Sequence, residues 1–192
     1  MHARRVAALL VLAAVVWGAV LAAAETPVPK PDPAAAAKRA QGRYLVQIMG
    51  CGDCHTPGSF YGAPDPERAL SGSEMGWRGP WGVRYAANIT PDLDTGIGYW
   101  TAAELAKTLR TGVRPDGTQI GAPMPIQNIM QMTQADAEAV AAYLMSLKPI
   151  RHQVPAALPP GVAPTGPVLD FPPPSAWDAP KPPPAAPGGE KR

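Results

Sequence analysis

The sequence predicts an all-α domain with about three main helices, and three observations support this fold class. Three segments place apolar residues at helical spacing, whereas little of the chain alternates as a strand does. Proline is concentrated near both ends, and 13 of the 39 residues in 154–192 are proline, a density that excludes helix and sheet interiors. We therefore expect one loop-rich domain over residues 34–153, between a proline-rich leader (25–33) and a proline-rich disordered tail (154–192).

The first predicted helix runs from about Ala34 to Met49. Its apolar face is formed by Tyr44, Leu45 and Ile48, which lie at helical spacing.

The second and third predicted helices have recognisable first turns. The second has Thr101 as its N-cap and Glu104 three residues on, the pattern of a capping box, and Gly112 can end it in the left-handed conformation. The third starts at Thr133, with Asp136 as a weaker form of the same box. Its buried stripe and the proline after its end are Val140, Leu144, Leu147 and Pro149.

The first 24 residues predict an export signal. Arg4 and Arg5 form a positive start, residues 6–24 are almost wholly apolar, and small residues precede Glu25, as signal peptidase requires. The alternative is an uncleaved membrane anchor, because about 19 apolar residues approach the length of a membrane span. In either case we expect the domain to lie in the periplasm.

The charge balance excludes a nucleic-acid partner. Without Arg4 and Arg5, the 17 basic residues of the chain become 15, which equals its 15 acidic residues. The exported chain would be formally neutral, without the basic patch that nucleic acid requires.

The most informative motif is Cys51-Gly52-Asp53-Cys54-His55, in which a histidine directly follows a Cys-x-x-Cys pair. This is the attachment pattern of a c-type haem. The two thiols add to the vinyl groups of the porphyrin, and the histidine becomes the proximal ligand of the iron. The sequence has two cysteines, enough for one covalent haem c.

Two other kinds of site share part of this pattern. A zinc site needs about four ligands, and beyond the motif only His152 remains as a His or Cys donor after residue 24. A thioredoxin-like thiol pair needs a βαβ context, which the surrounding sequence lacks. The motif therefore favours haem over zinc and over thiol chemistry.

A six-coordinate iron needs a second axial ligand, and Met124 is the preferred candidate. It lies in Pro123-Met124-Pro125, where the flanking prolines restrict the backbone and keep it out of a helix. Met130 and Met132 are the next candidates, and the others are Met49, Met75, Met145 and His152. Histidine and methionine together raise the reduction potential and leave no iron position for a substrate, so such a haem transfers single electrons.

The order of these features resembles the class I, mitochondrial-type cytochromes c. A helix with Gly42 and Tyr44 precedes the cysteine motif, and the Pro-Met124-Pro loop precedes a last helix with Tyr143. The resemblance implies that Cys51 and Cys54 carry the thioethers and that His55 and Met124 are the iron ligands. It also implies that the first and last helices cross, with Gly42 permitting close approach near Tyr143.

Two stretches, 88–101 and 109–117, are more specific. They resemble the cytochrome c subunits of bacterial membrane-bound alcohol, aldehyde and gluconate dehydrogenases, and the resemblance covers about residues 36–150. Those subunits commonly carry three haem motifs, whereas this chain has one. The segment from Trp77 to Asn88 is longer than a minimal cytochrome needs, and Trp81, Arg84 and Asn88 are hypothesised to donate hydrogen bonds to haem propionates. The alternative roles are a packing tryptophan, a surface arginine and a turn asparagine.

The resemblance implies an electron-transfer protein, not an enzyme. Its partners would be redox proteins: a dehydrogenase as donor, and an oxidase or another cytochrome as acceptor. The chain would act as a free carrier or as a component tethered in a membrane complex. The alternative is a haem enzyme or gas sensor with an open sixth iron position, for which Met124 would have to be absent from the iron.

Overall fold

The computed structural model describes residues 32–172. The predicted signal or anchor (1–24), nearly all of the leader, and residues 173–192 of the tail lie outside the described residues. Five helices occur in the described part: α1 (Pro33–Ile48), α2 (Cys51–His55), α3 (Ala102–Thr111), α4 (Ile126–Ile129) and α5 (Gln134–Leu144). Three strands accompany them: β1 (Gly76–Gly79), β2 (Gly82–Tyr85) and β3 (Val168–Asp170). Among these residues no helix is both long and apolar enough to span a membrane.

The capping residues set the starts of the two central helices, as predicted. Thr101 accepts a hydrogen bond from the backbone N–H of Glu104, whose carboxylate accepts from the backbone N–H of Thr101. Gly112 ends α3 with φ 70°. Thr133 caps α5 in the same way by accepting from the backbone N–H of Asp136.

The hydrophobic core lies mainly between α3 and α5. Its buried members include Leu105, Leu109, Val140 and Leu144, with small alanines where the two helices approach. Burying one such large apolar side chain stabilises the fold by about 1.5–3 kcal/mol. This pair of helices is therefore the stable frame on which the remaining loops are held.

The predicted close approach of the first and last long helices is confirmed at Gly42. A Cβ at this position would lie 1.9 Å from the carbonyl oxygen of Ala139 and 2.8 Å from the Cβ of Tyr143. Only a residue without a side chain fits there. Lys38 and Glu138 pair across the same contact at 2.6 Å.

The prediction of a strictly all-α fold is wrong, because the glycine- and proline-rich loop contains a β-hairpin. β1 and β2 pair antiparallel, with Gly76 opposite Tyr85 and Gly79 opposite Gly82. β3 adds to the other edge of β1 in parallel, giving the order β2-β1-β3. The glycines at the hairpin ends mask the strand pattern, and the third strand lies too far along the chain for a local signal.

The structure also differs from the predicted domain end at residue 153. Residues 154–172, here called the C-terminal strap, run along the hairpin instead of leaving the domain. Leu158 exchanges two backbone hydrogen bonds with Val83, at 2.9 and 3.0 Å, and β3 follows ten residues later. The apolar residues spaced between the prolines, Val154, Leu158 and Val168, are half-buried on the domain. Proline excludes a helix here but not an extended strand at a sheet edge.

Candidate functional site

The cysteine motif forms its own short helix, α2. Gly50 precedes it with φ 65°, a left-handed conformation that favours glycine, and Thr56 ends it in an extended conformation. Residues spaced by three and four positions share one face of a helix. Cys51, Cys54 and His55 therefore project to the same side, as a group bonded to all three requires.

His55 has one ring nitrogen fixed and one free. Its Nδ1 lies 2.7 Å from the carbonyl oxygen of Ala87, which can only accept, so Nδ1 carries the proton. Nε2 makes no hydrogen bond within residues 32–172, although no buried side-chain nitrogen or oxygen there lacks a partner. The Nε2 lone pair must therefore reach an accessible surface, which is the arrangement of a metal-binding imidazole.

The electrostatics of His55 agree with that role. Burial lowers its pKa, and this outweighs the opposite effect of the bond to Ala87. The ring is therefore neutral, the form that binds a metal.

The two thiols are not activated for redox chemistry of their own. Burial raises the pKa of Cys51 to about 11, and burial together with the nearby Asp53 carboxylate raises the pKa of Cys54. Catalytic cysteines in Cys-x-x-Cys pairs have lowered pKa values. Cys51 and Cys54 are free and unpaired by a disulfide, so they remain available for another covalent bond.

His152, the other histidine considered as a donor to iron or zinc, is hydrogen-bonded within the domain. Its Nδ1 lies 2.9 Å from the carbonyl oxygen of Ser71, and its Nε2 lies 2.8 Å from a carboxylate oxygen of Glu74. Both ring nitrogens are occupied. Within residues 32–172 no group of three or more His, Cys, Asp or Glu side chains could hold a metal ion.

Met124 lies in the loop between α3 and α4, outside any helix. It is half-buried in a turn, and its carbonyl accepts from the backbone N–H of Ile126 at 2.7 Å. Met130 places its sulfur 3.2 Å from where a Cβ of Gly112 would lie, so it packs at the end of α3. Of the rest, Met49, Met132 and Met145 are half-buried and pack against the core, and Met75 is buried. Met124 therefore remains the best candidate for the second ligand.

A family model described as Cytochrome c matches residues 39–148, which is more than half of the chain. The chain belongs to the cytochrome c family. Membership implies a covalent haem c and a role in electron transport, which agrees with the donor set at Cys51, Cys54 and His55. The resemblance inferred from the sequence motifs is confirmed.

Curated relatives of this cytochrome include components of bacterial dehydrogenases. A nicotinate dehydrogenase subunit of Pseudomonas putida is 35% identical over 63% of the chain and 10% of its own length. The fructose dehydrogenase cytochrome subunit of Gluconobacter japonicus is 34% identical over 63% of the chain and 24% of its own length. A dihaem cytochrome c-type protein of Cereibacter sphaeroides is 39% identical over 54% of the chain and 33% of its own length. The chain thus spans a third or less of the length of these relatives.

Asn88 is hypothesised from the sequence to donate to a haem propionate, with a turn asparagine as the alternative, and in this cytochrome its hydrogen bonds go to protein groups. Its amide nitrogen donates to the carbonyl oxygen of Ile150 at 2.7 Å and to the hydroxyl of Thr95 at 3.0 Å. Its oxygen accepts from the backbone N–H and the hydroxyl of Thr90. Asn88 is 2% exposed, so no donor is left to face a cofactor.

Trp81 and Arg84, the other two hypothesised propionate donors, differ in whether they keep a donor group for a cofactor. The indole N–H of Trp81 reaches the carbonyl of Trp77 at 3.3 Å, and its ring packs edge-on against Phe171, which is the packing role. Arg84 makes only long contacts, 3.4 and 3.5 Å, to two backbone carbonyls. It has no carboxylate partner within the described residues, so Arg84 is the remaining candidate to meet a propionate.

One functional group of the site cannot be predicted from residue types. The carbonyl of Ala87 orients His55, but a backbone oxygen leaves no trace in residue type. The neighbouring asparagine at position 88 is the available signal, and its amide suggests a propionate donor instead.

Proposed function

We propose that the chain is a periplasmic, one-haem c-type cytochrome that transfers single electrons between a dehydrogenase and a downstream oxidase or cytochrome. The observation that carries this proposal is the His55 ring. Its Nδ1 is held by Ala87 and its Nε2 is accessible and unpaired, on the same short helix as the thiols of Cys51 and Cys54.

The residues present fit a covalent haem. Cys51 and Cys54 would hold it by thioethers, and His55 Nε2 and the thioether of Met124 would hold its iron. Bound in this way, the group supplies a reversible one-electron couple. The chain's own contribution is to keep the imidazole neutral and in one tautomer, and to place the positive charge of Arg84 where a propionate can meet it.

The choice of partners rests on the relatives. Several are named as cytochrome subunits of dehydrogenases that oxidise alcohols, fructose or gluconate. A chain that shares their cytochrome segment would suit the same kind of donor. The periplasmic location rests on the export signal predicted over residues 1–24, and on the oxidising compartment, in which thioether bonds protect two cysteines that would otherwise be oxidised.

Replacement of Met124 tests the ligand set. Met124→Leu keeps the size of the side chain and removes the sulfur, so the ferric protein should lose the far-red absorption band of His/Met ligation and become high-spin. The reduction potential should fall, because the soft thioether favours ferrous iron. Met132→Leu is the matched control and should keep both properties.

The same measurement separates the proposal from a haem enzyme or gas sensor. A wild-type protein that is already high-spin when ferric, and that at low concentration binds cyanide in the ferric state or carbon monoxide in the ferrous state, would contradict the electron-transfer proposal. Purification of the chain from its own membranes, followed by identification of what remains attached, would then test the dehydrogenase as donor.

A further inference from the structure

Asn88 lies next to the carbonyl that orients the iron-binding histidine. Ala87, whose oxygen accepts from His55 Nδ1, has an exposed side chain, so packing of that side chain cannot fix the carbonyl. Its position must come from the backbone on either side.

The residues around Ala87 are hydrogen-bonded to two separate parts of the domain. The first part is the loop at residues 70–73: the carbonyl of Ala86 accepts from the backbone N–H of Ser73 at 3.0 Å, and the N–H of Ile89 donates to the carbonyl of Leu70 at 3.0 Å. The second part follows α5, where the amide of Asn88 donates to the carbonyl of Ile150.

Asn88 uses its whole hydrogen-bonding capacity to do this. Two donors and two acceptors are matched by Ile150, Thr95 and Thr90 at 2.7–3.0 Å. Neither a carboxylate nor a hydroxyl offers two donors together with an acceptor oxygen. Because the group is buried, an unmatched atom here would carry a desolvation cost.

Asn88, Thr90, Thr95 and Ile150 form one hydrogen-bonded cluster, here called the Asn88 node. This node also holds the chain that follows α5. The N–H of Ile150 donates to the hydroxyl of Thr90 at 3.1 Å, and the N–H of His152 donates to the hydroxyl of Thr95 at 3.0 Å. Ile150 therefore both donates and accepts at this node, across 60 residues of sequence.

We propose that Asn88 is a positioning residue for the iron, which acts by holding the Ala87 carbonyl against His55 Nδ1. This inference rests on the proposed haem function. A hydrogen bond to the far nitrogen of a ligating imidazole makes it a stronger electron donor and so favours the ferric state. Loosening Asn88 weakens that bond, and the reduction potential rises.

The test compares three variants as holoproteins. Asn88→Ser removes both amide donors, and Thr90→Val, a milder change, removes the hydroxyl that donates to Asn88 and accepts from Ile150. Thr101→Ala is the control, because it lowers stability by removing the cap of α3 and touches no member of the node. The readouts are the reduction potential, the hydrogen-exchange rate of His55 Nδ1–H by NMR of the ferrous protein, and the denaturant midpoint.

We expect Asn88→Ser to speed Nδ1–H exchange and to raise the potential by up to a tenfold change in the ferric–ferrous equilibrium, about 59 mV for one electron. Thr90→Val should change the exchange rate and the reduction potential in the same direction but by less, and Thr101→Ala should change neither quantity. If Asn88→Ser and Thr90→Val lower the midpoint as the control does but leave potential and exchange unchanged, the inference is overturned. If Asn88→Ser fails to accumulate, Thr90→Val decides by the same readouts.

Failure of the proposed function would look different. In that case the wild-type protein would show an open, ligand-binding iron and no reversible one-electron couple. The exchange rate of His55 Nδ1–H would still report whether Asn88 holds the Ala87 carbonyl.

Discussion

Gly42→Ala is the substitution whose effect the geometry fixes most closely. A Cβ at this position would lie 1.9 Å from the carbonyl oxygen of Ala139, whereas real Cβ contacts essentially never fall below 3.0 Å. The gap between α1 and α5 would have to widen by about 1.1 Å, the difference between these two values. The obstacle is backbone, so no side-chain rotation can relieve it.

Two energies oppose each other in this variant. Overpacking costs about 1–3 kcal/mol, and we take the upper end because the clash is with a helix backbone. Alanine gains about 1 kcal/mol over glycine as a helix former. The net loss of about 2 kcal/mol corresponds to roughly 6–8 °C in Tm for a domain of this size.

The assay is denaturant and thermal unfolding of the holoprotein, followed by far-UV circular dichroism. Gly166→Ala is the matched control, because the nearest atom to its Cβ would be 3.9 Å away. A Gly42→Ala protein that unfolds at the wild-type midpoint, or above it, would refute the close approach of the two helices.

Three further results are expected. Truncation after Gln153 should lower the free energy of unfolding relative to a chain truncated after Pro172, because only the second chain keeps the strap; equal midpoints of the two truncated chains would contradict the strap's role. Burial raises the pKa of Glu74, but hydrogen bonds from its own N–H, His152 and Arg68 outweigh burial and hold the pKa below its ordinary value of 4.5. The ionised Glu74 carboxylate therefore stabilises the fold above pH 4.5, and this stabilisation is lost as the pH falls through the folded pKa. Glu74→Gln should flatten the acid side of a stability–pH curve. An unchanged acid side would exclude a stabilising interaction of Glu74 with His152 and Arg68. Arg84→Gln should lower the reduction potential, because a positive charge near the haem favours ferrous iron. An unchanged potential in spectroelectrochemistry would exclude a contact between Arg84 and a haem propionate.

The parts of the fold that the sequence predicts well depend on neighbouring residues. Thr101 and Glu104 lie one turn apart and meet within the same first turn, so their pattern can be recognised without knowledge of the rest. The same holds for the cysteine motif, whose spacing specifies both the helix and the chemistry. Met124 remains the preferred candidate for the second axial ligand, because its flanking prolines exclude it from a helix and hence from the core between the helices.

The parts that the sequence does not predict depend on residues far apart. β3 forms because Val168 meets the edge of β1 at Gly76, and Arg78 pairs with Asp170 across the same 92 residues of chain. Asn88 has the chemistry of a propionate donor, but the carbonyl of Ile150 accepts its hydrogen bond, and only the fold brings that carbonyl to 2.7 Å from the amide nitrogen. Composition correctly excludes helix from the strap, yet it cannot show that an extended chain will find a sheet edge.

The path of the strap has a consequence for the solubility of the chain. Exposed strand edges carry unpaired N–H and C=O groups that invite pairing with another molecule. One continuous segment covers both sides of the hairpin here, through Leu158 beside β2 and through β3 beside β1. The strap therefore covers the outer edges of both hairpin strands, β1 and β2. We expect a chain truncated after Gln153 to self-associate through these exposed edges before it unfolds.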